Sequence, residues 1–165
     1  MIDYFDSLDE LSGDFFIHSA YSRDSSWGSR DKFVRGVGPT PIKTKYGWLV
    51  LYHAIEKHDS HKYKIWAMIL DIQNPKKVLY DSNGPILEPD VWYENEGYKS
   101  GVVYSCGAVV IPARTDGRSG GDDELFVYYG GADRVSCVAT IVLNDLLEDL
   151  RKNKVVKLKR QAIRI

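Results

Sequence analysis

The stretch from Gly36 to Ala54, GVGPTPIKTKYGWLVLYHA, limits the possible folds of this chain more than any other segment. Pro39 and Pro41 fix two backbone φ angles and lack an N–H donor. A segment with two such residues so close together does not fit inside a sheet. We therefore expect residues 36 to 41 to form a shaped loop outside any sheet.

The remainder of this stretch predicts two adjacent strands joined by a tight turn. Ile42 to Thr44 is extended, Lys45 to Gly47 is a turn, and Trp48 to Ala54 is aromatic and β-branched enough for a buried strand. A lysine, a tyrosine and a histidine are thereby placed on two neighbouring strands beside a rigid loop. We expect any chemistry to be found there.

Further extended segments follow this stretch at short intervals. Together with the first two they form a series at 42 to 44, 48 to 54, 63 to 72 and 77 to 81. Four antiparallel strands with short turns are typical of one blade of a β-propeller, and residues 32–81 predict such a blade. A second blade is predicted over 102–142, from strands at 102 to 112, 125 to 129 and 135 to 142.

The chain ends in a predicted helix and tail over residues 143–165. Leucines recur at positions i, i+3, i+4 and i+7 from Leu143, which predicts a helix to Lys152 with Asn144 able to cap its start. The tail alternates weakly and is interpreted as a last strand. The whole chain, 1–165, is predicted to be one all-β domain of about two to two-and-a-half blades, with one short C-terminal helix.

Composition excludes several classes of function. Of the 165 residues 44% are hydrophobic and 27% are charged, which is typical of a globular protein. The net charge of -1 argues against general nucleic-acid binding, which needs a basic surface. No apolar run reaches the roughly 18 residues of a membrane span, and the acidic N-terminus is unlike a signal peptide. We expect a cytoplasmic protein without a membrane partner.

Other reactive residues are interpreted as structural. Cys106 and Cys137 are too few for a disulfide scaffold or a cysteine metal site, and we expect both to be small buried hydrophobes. His58 and His61 lie in a charged turn without a carboxylate pair, so no metal site is predicted. The glycine-rich run at 115–124 lacks the strand-then-helix context of a phosphate loop and is interpreted as a hairpin tip.

Three separated motifs carry a family resemblance. The pattern GxGPxPIKTxxGWLxxYH, then CGAVV at 106 to 110 and LFVYYGGAD at 125 to 133, resembles the carboxy-terminal half of glycoside hydrolase family 130, the mannoside phosphorylases and mannosidases. The similarity runs from about Trp27 to Leu147 in the same order. It implies a five-bladed β-propeller, of which this chain would hold only part.

The resemblance also implies roles for individual residues. The family's lysine of the PIKT-type motif and histidine of the YH motif assign phosphate binding to Lys43 and His53. In the family, the aspartate of the YYGxAD motif holds sugar hydroxyls, which assigns sugar binding to Asp133. Tyr104 and Tyr52 are further candidates for contact with a mannoside. Inorganic phosphate would be the co-substrate, with no other cofactor and no metal.

Two departures from the family pattern limit the expected activity. The family's catalytic aspartate belongs to an Arg-Glu-Asp-Pro-Arg type stretch, and this sequence has no such stretch, so no catalytic residue is assigned. Tyr104-Ser105 stands where the family often has Phe-Pro. Because a missing general acid costs on the order of 10²- to 10⁴-fold in rate, we expect the chain alone to be inactive or weak.

The sequence leaves several functions open. The chain is interpreted as part of a β-mannoside phosphorylase, with a β-mannosidase-type hydrolase or a non-catalytic carbohydrate-binding or assembly module as alternatives. Two blades would expose a sheet face, so we expect a homo-oligomer or a partner chain that supplies the missing blades. An oligosaccharide is the expected ligand in each case.

Overall fold

The computed structural model describes residues 32–113 and 122–161. Within these ranges the chain forms two antiparallel sheets that do not close into a barrel, together with helical segments. The β-rich fold and the C-terminal helix predicted from the sequence are confirmed. In the same ranges, neither helix has the length and apolarity needed to cross a bilayer.

The first sheet contains the segment on which the sequence analysis began. Its strands are β1 (Lys32–Val37), β2 (Ile42–Thr44), β3 (Gly47–Glu56), β4 (Asp59–Leu70) and β5 (Val78–Asp81). Their order is β1-β3-β4-β5, and β2 pairs with the start of β3 on the same edge as β1. The predicted turn before β3 and the short edge strand β5 are both confirmed.

The loop between β1 and β2 is shorter than predicted. Gly36 and Val37 belong to β1 and pair with His53 and Tyr52 of β3. Within residues 36 to 41 only the two prolines lack an N–H donor. The chain therefore stays hydrogen-bonded to β3 as far as Gly38, whose N–H donates to the Leu51 carbonyl at 2.8 Å. The prediction that residues 36 and 37 lie outside the sheet was therefore wrong.

A long connection, residues 82–101, joins the two sheets and contains one helical turn, α1 (Trp92–Asn95). The fully buried carboxylate of Glu94 accepts two hydrogen bonds from Arg160, at 2.8 Å each, and one from the Tyr129 hydroxyl at 2.7 Å. Burial opposes the charged form of Glu94, but these hydrogen bonds outweigh it and lower the pKa of the carboxyl group. The connection is thus fixed to the second sheet by a buried ion pair.

The second sheet has the order β6-β7-β8-β9. Its strands are β6 (Val103–Ile111), β7 (Glu124–Gly131), β8 (Val135–Val142) and β9 (Lys159–Arg160). The tail thus contributes a strand, as predicted, although it is only two residues long and pairs with Ala139 and Thr140. Most of the predicted hairpin tip at 115–124 lies outside the described residues.

The predicted helix is present as α2 (Leu143–Arg151), between β8 and β9. The predicted cap was wrong: Val142 occupies the N-cap position without a side-chain hydrogen bond, and Asn144 instead accepts a hydrogen bond from Lys45 Nζ at 2.6 Å. Because β8 runs directly into the helix, the boundary falls one or two residues before the polar side chain. The leucine stripe of α2 packs into the core as expected.

Both sheets and α2 share one hydrophobic core. Its buried members come from the face of β3 and β4 that carries the odd-numbered residues, and from the inner face of the second sheet. The connection, α2 and the tail supply the others. The other face of β3 and β4 forms a second buried cluster around Tyr52 and Trp66. The prediction that both cysteines are buried was wrong for Cys106. This residue is exposed on the outer face of β6, where it is the unpaired residue of a bulge between Ser105 and Gly107. Cys137 is half-buried.

Candidate functional site

His53 lies at the point where the two sheets meet. Its side chain, 1% exposed, projects from β3 toward β6, where Nε2 accepts hydrogen bonds from the Ser105 backbone N–H at 2.9 Å and the Ser105 hydroxyl at 3.0 Å. A backbone N–H is only a donor, so Nε2 carries no proton. The proton is then on Nδ1, which serves the hydrogen bond to the Gly36 backbone.

The imidazole of His53 is neutral at pH 7. Burial lowers its pKa to about 4, and the hydrogen bond to Gly36 offsets this only in part. A neutral ring whose two nitrogens already have protein partners offers no positive charge to an anion. The side chain instead fixes β1, β3 and β6 relative to one another.

Gly38 allows this close approach of the two sheets. A Cβ atom at this position would lie 2.3 Å from Ser105 Oγ and 3.3 Å from His53 Cε1. Any larger residue would therefore push the loop away from the His53–Ser105 pair. This gives a physical reason for the glycine just before the first proline of the loop.

Two tyrosine rings extend from His53 toward solvent. Tyr104 stacks on the imidazole with ring centres 4.1 Å apart and planes 9° apart, and Tyr63 lies 5.4 Å from the imidazole and 6.0 Å from Tyr104. Tyr104 is 46% exposed although its inner face is supported by His53. A supported, half-exposed ring is an apolar platform suited to one face of a sugar.

The structure places Tyr52 away from this platform. It is fully buried on the opposite face of β3 from His53, where its hydroxyl donates to Asp81 at 2.6 Å and bonds with Lys32 Nζ. Burial and the Asp81 charge raise the pKa of the phenol. Adjacent residues of a strand point to opposite faces, so Tyr52 and His53 do not line one site.

Lys43 is also separate from His53. It is exposed on β2 and pairs with Trp48, which precedes His53 by five residues on β3, a distance of roughly 16 Å at the usual strand rise. Lys43 lines a different open cleft, near Asp122 and Asp123. The two residues predicted to bind phosphate are therefore well separated, with Lys43 beside the start of β3 and His53 in its second half.

Asp133 occupies the turn between β7 and β8. Ala132 and Asp133 have φ angles of 50° and 52°, and the Arg134 N–H donates to the Gly131 carbonyl at 3.0 Å, which defines a type I′ turn. The carboxylate is on an exposed residue, and Gly130 of the same hairpin pairs with Tyr104 of the neighbouring strand β6. Asp133 thus lies at the tip of the β7–β8 hairpin, three residues after the β7 residue that pairs with Tyr104 of β6.

An open cleft beside Tyr63 contains functional candidates that the sequence analysis did not assign. Its volume is about 370 Å³, and its lining residues are Arg35, Ile55, Ser60, His61, Tyr63, Lys99 and Val102. They come from β1, β3, β4 and the connection. Of these residues only His61 was considered from the sequence, as a metal ligand, because the packing of the connection on β4 that brings them together leaves no local pattern.

An open polar cleft lies beside a supported tyrosine platform on a β-sheet scaffold, an arrangement suited to a carbohydrate. The model of glycoside hydrolase family 130, described as beta-1,4-mannooligosaccharide phosphorylase, matches residues 15–152. The chain belongs to this family.

Curated relatives and solved structures agree with this assignment. The chain is 43% identical over 111 residues to the 1,2-beta-oligomannan phosphorylase of Thermoanaerobacter sp. (strain X514), covering 67% of this chain and 33% of the relative. It is 37% identical over 106 residues to a beta-1,2-mannobiose phosphorylase of the same organism, covering 64% and 31%. The Listeria innocua beta-1,2-mannobiose phosphorylase, solved with beta-1,2-mannobiose, superposes with a TM-score of 0.59 at 32% identity, covering 81% of this chain and 33% of that chain.

The chain therefore spans about a third of the length of the relatives that it matches. The His53–Tyr104 contact joins the histidine of the YH motif to the residue two positions before CGAVV, where the sequence departs from the family pattern.

Proposed function

We propose that this chain forms part of a β-mannoside phosphorylase. In this reaction a phosphate oxygen attacks the anomeric carbon of a mannoside, the glycosidic C–O bond breaks, and the leaving oxygen takes a proton from a general acid. The products are mannose 1-phosphate and a shortened sugar. The observation that carries the proposal is the His53–Tyr104 stack, in which the histidine of the YH motif supports a ring that is open to solvent on one side.

The place where the two sheets meet, between His53 of β3 and Ser105 of β6, is called the seam, and the residues around it have separate roles in this proposal. Tyr104 stacks on the sugar ring, and Asp133 accepts hydrogen bonds from sugar hydroxyls. His53 positions Tyr104 and the Gly38 loop. Phosphate binding by Lys43 and His53 stays a prediction, and their separation along β3 means that one phosphate does not contact both residues of the same chain.

We further propose that the two sheets correspond to neighbouring blades of a propeller that other polypeptide completes. The chain spans a third of its relatives, and the sequence lacks the family's stretch with the catalytic aspartate. The remaining blades would come from a second copy or from a separate chain. Alone, the chain is expected to bind mannosides and to turn them over weakly or not at all.

The test combines binding and turnover measurements on the full chain. We expect calorimetry to detect β-1,2-mannobiose, the sugar bound in the Listeria innocua structure, and Tyr104→Ala to weaken this binding about tenfold through lost stacking. Tyr98→Ala is the matched control, because Tyr98 is 90% exposed on the connection. Equal binding by the Tyr104→Ala variant and the unmodified chain would contradict the proposal.

Turnover distinguishes the enzyme classes. β-1,2- and β-1,4-mannobiose are incubated with the chain, with and without phosphate, and mannose 1-phosphate and free mannose are measured. Phosphate-dependent mannose 1-phosphate supports the phosphorylase, whereas mannose released without phosphate supports a hydrolase. A non-catalytic carbohydrate-binding module is the second candidate, favoured by the neutral, enclosed His53, and it predicts binding with neither product.

A further inference from the structure

The turn between β7 and β8 places two non-glycine residues in the left-handed region of φ. Ala132 and Asp133 occupy its two central positions, with φ angles of 50° and 52°. A type I′ turn needs such angles and is usually built from asparagine, aspartate and glycine. Alanine has neither the freedom of glycine nor a polar side chain, so its left-handed conformation carries a cost. Contacts outside the turn are therefore needed to hold Ala132.

Backbone groups at the end of the connection provide these contacts. The Ala132 N–H donates to the Val102 carbonyl at 2.9 Å, and the Ala132 carbonyl accepts from the Lys99 N–H at 3.1 Å. Ala132 is fully buried, whereas the next residue, Asp133, is exposed. The connection thus fixes the backbone on one side of Asp133 and leaves its carboxylate available.

Gly97 lets the connection come this close to the turn. A Cβ atom at Gly97 would lie 2.3 Å from the Ala132 carbonyl oxygen and 2.8 Å from the Ala132 Cβ. Because both distances are shorter than such atoms can approach, any larger residue would push the connection away from the turn. A glycine at position 97 is therefore a requirement of this contact.

Glu94 anchors this part of the connection to the second sheet. Its buried carboxylate accepts hydrogen bonds from Arg160 and Tyr129, which both belong to that sheet. Its backbone carbonyl accepts from the Gly101 N–H at 3.2 Å, so the segment that contacts the turn closes on Glu94 at both ends. A Cβ atom on the last residue of β7 would lie 3.4 Å from Glu94 Cγ, which places this side chain directly behind the turn.

The same contacts link the two residues that are expected to touch the sugar. Val102, which accepts the hydrogen bond from Ala132, precedes Tyr104 by only two residues. The tip of the hairpin, with Asp133, is thus tied to the start of the strand that carries Tyr104. A looser turn would change the position of Asp133 relative to Tyr104.

We propose that Glu94 and Gly97 are positioning residues for sugar binding. The connection that they fix holds the turn in its left-handed conformation, and the turn sets the position of the Asp133 carboxylate relative to Tyr104. Glu94 is fully buried, so it acts through the turn and not by contact with the sugar. The part of this inference that concerns the sugar rests on the proposed function, whereas the hold of the connection on the turn does not.

The first measurement is amide hydrogen exchange of the full chain, which needs no ligand. Glu94→Gln keeps the shape of the side chain but removes its charge, so the Ala132 and Lys99 amides should exchange about tenfold faster. Amides at the centre of β4 are the reference for any change in global stability. Glu148→Gln is the matched control, because Glu148 also accepts hydrogen bonds from a tyrosine and an arginine but lies on α2. Gly97→Ala tests the same contact by steric overlap, should Glu94→Gln fail to fold.

The second measurement is calorimetric titration with β-1,2-mannobiose in a double-mutant cycle. Asp133→Asn and Glu94→Gln are each expected to weaken binding about tenfold. If Glu94 acts through Asp133, the double variant should bind about as weakly as Asp133→Asn alone. A purely structural role of Glu94 would instead cause the same further loss in the Asp133→Asn background. Glu148→Gln should leave binding unchanged.

Each outcome decides the inference. Faster exchange at Ala132 in Glu94→Gln and Gly97→Ala, together with binding losses that do not add, supports it. Exchange at Ala132 that changes no more than in the reference amides of β4, or binding losses that add in full, overturns it. If the unmodified chain does not bind the sugar, the proposed function fails, and exchange alone then decides whether the connection holds the turn.

Discussion

His53 shows how one side chain serves two sheets. Its Nε2 accepts two hydrogen bonds from Ser105 across the seam, and its ring supports Tyr104. The two hydrogen bonds need the neutral imidazole, because a proton on Nε2 would face the Ser105 N–H. The stability of the fold is therefore tied to the protonation of this residue.

We expect the free energy of unfolding to fall as the pH is lowered from 7 to 5. The pKa of His53 is about 4 in the folded chain and near 6.5 when unfolded, so between these values the unfolded state binds more protons. This stability is fully present above pH 6.5, and its loss between pH 7 and pH 5 amounts to about 2 kcal/mol. Urea unfolding at both pH values measures it. In His53→Gln the dependence should be shallower, and an equal slope in both proteins would contradict the assignment.

At the scale of elements, short contacts hold the loop after β1 against the second sheet. The loop is fixed at one end by the ladder of β1 and at the other by β2, both on the same edge of β3. Gly38 lies between them, in contact with Ser105 of β6. The loop is thus a spacer that sets the distance between the sheets.

Gly38→Ala is expected to lower the free energy of unfolding by about 1–3 kcal/mol, because the new Cβ would overlap Ser105 Oγ and the Leu51 carbonyl. Gly36→Ala is the matched control two residues earlier, where a Cβ meets no atom within 4 Å, and its effect should stay within about 0.5 kcal/mol. Urea unfolding of both variants provides the measurement. Equal effects at the two positions would show that the loop does not press on β6.

The elements were more predictable from sequence than the site. β2, β3 and α2 follow local rules of proline position, β-branching and leucine spacing, and the structure has them close to their predicted limits. Sequence could not tell which face of β3 meets the second sheet and which is covered by the cluster around Trp66, or that a bulge leaves Arg35 unpaired on β1. These features depend on strand pairing between distant segments, which local patterns do not specify.

At the scale of the whole molecule, the two sheets differ in what their outer faces expose. The outer face of the first sheet is buried, with Val50 and Tyr52 both at 0% exposure. The outer face of the second sheet carries half-exposed apolar side chains, including Val109 at 51%, Ile111 at 46% and Tyr128 at 46%. A contiguous apolar face of this kind is typical of a contact surface.

We expect the purified chain to associate through this outer face. Light scattering across a concentration series should show a mass above that of the 18.8 kDa monomer, which falls toward the monomer in Val109→Lys because a charge is unfavourable in an apolar contact. Val155→Lys is the control, since Val155 is 63% exposed but lies on the tail. A monomeric mass at every concentration would contradict self-association and would direct the search to a separate partner chain.

The connection between the sheets has a consequence for how the molecule opens. Residues 86 and 87 exchange backbone hydrogen bonds with Ile65 of the first sheet, and the Ile86 carbonyl also accepts from Leu158, just before β9 of the second. The two sheets therefore cannot separate from each other without breaking one of these two sets of backbone hydrogen bonds. Amide protons at the centres of β4 and β8 should therefore exchange with solvent through one shared global opening, so the two sheets form a single cooperative folding unit.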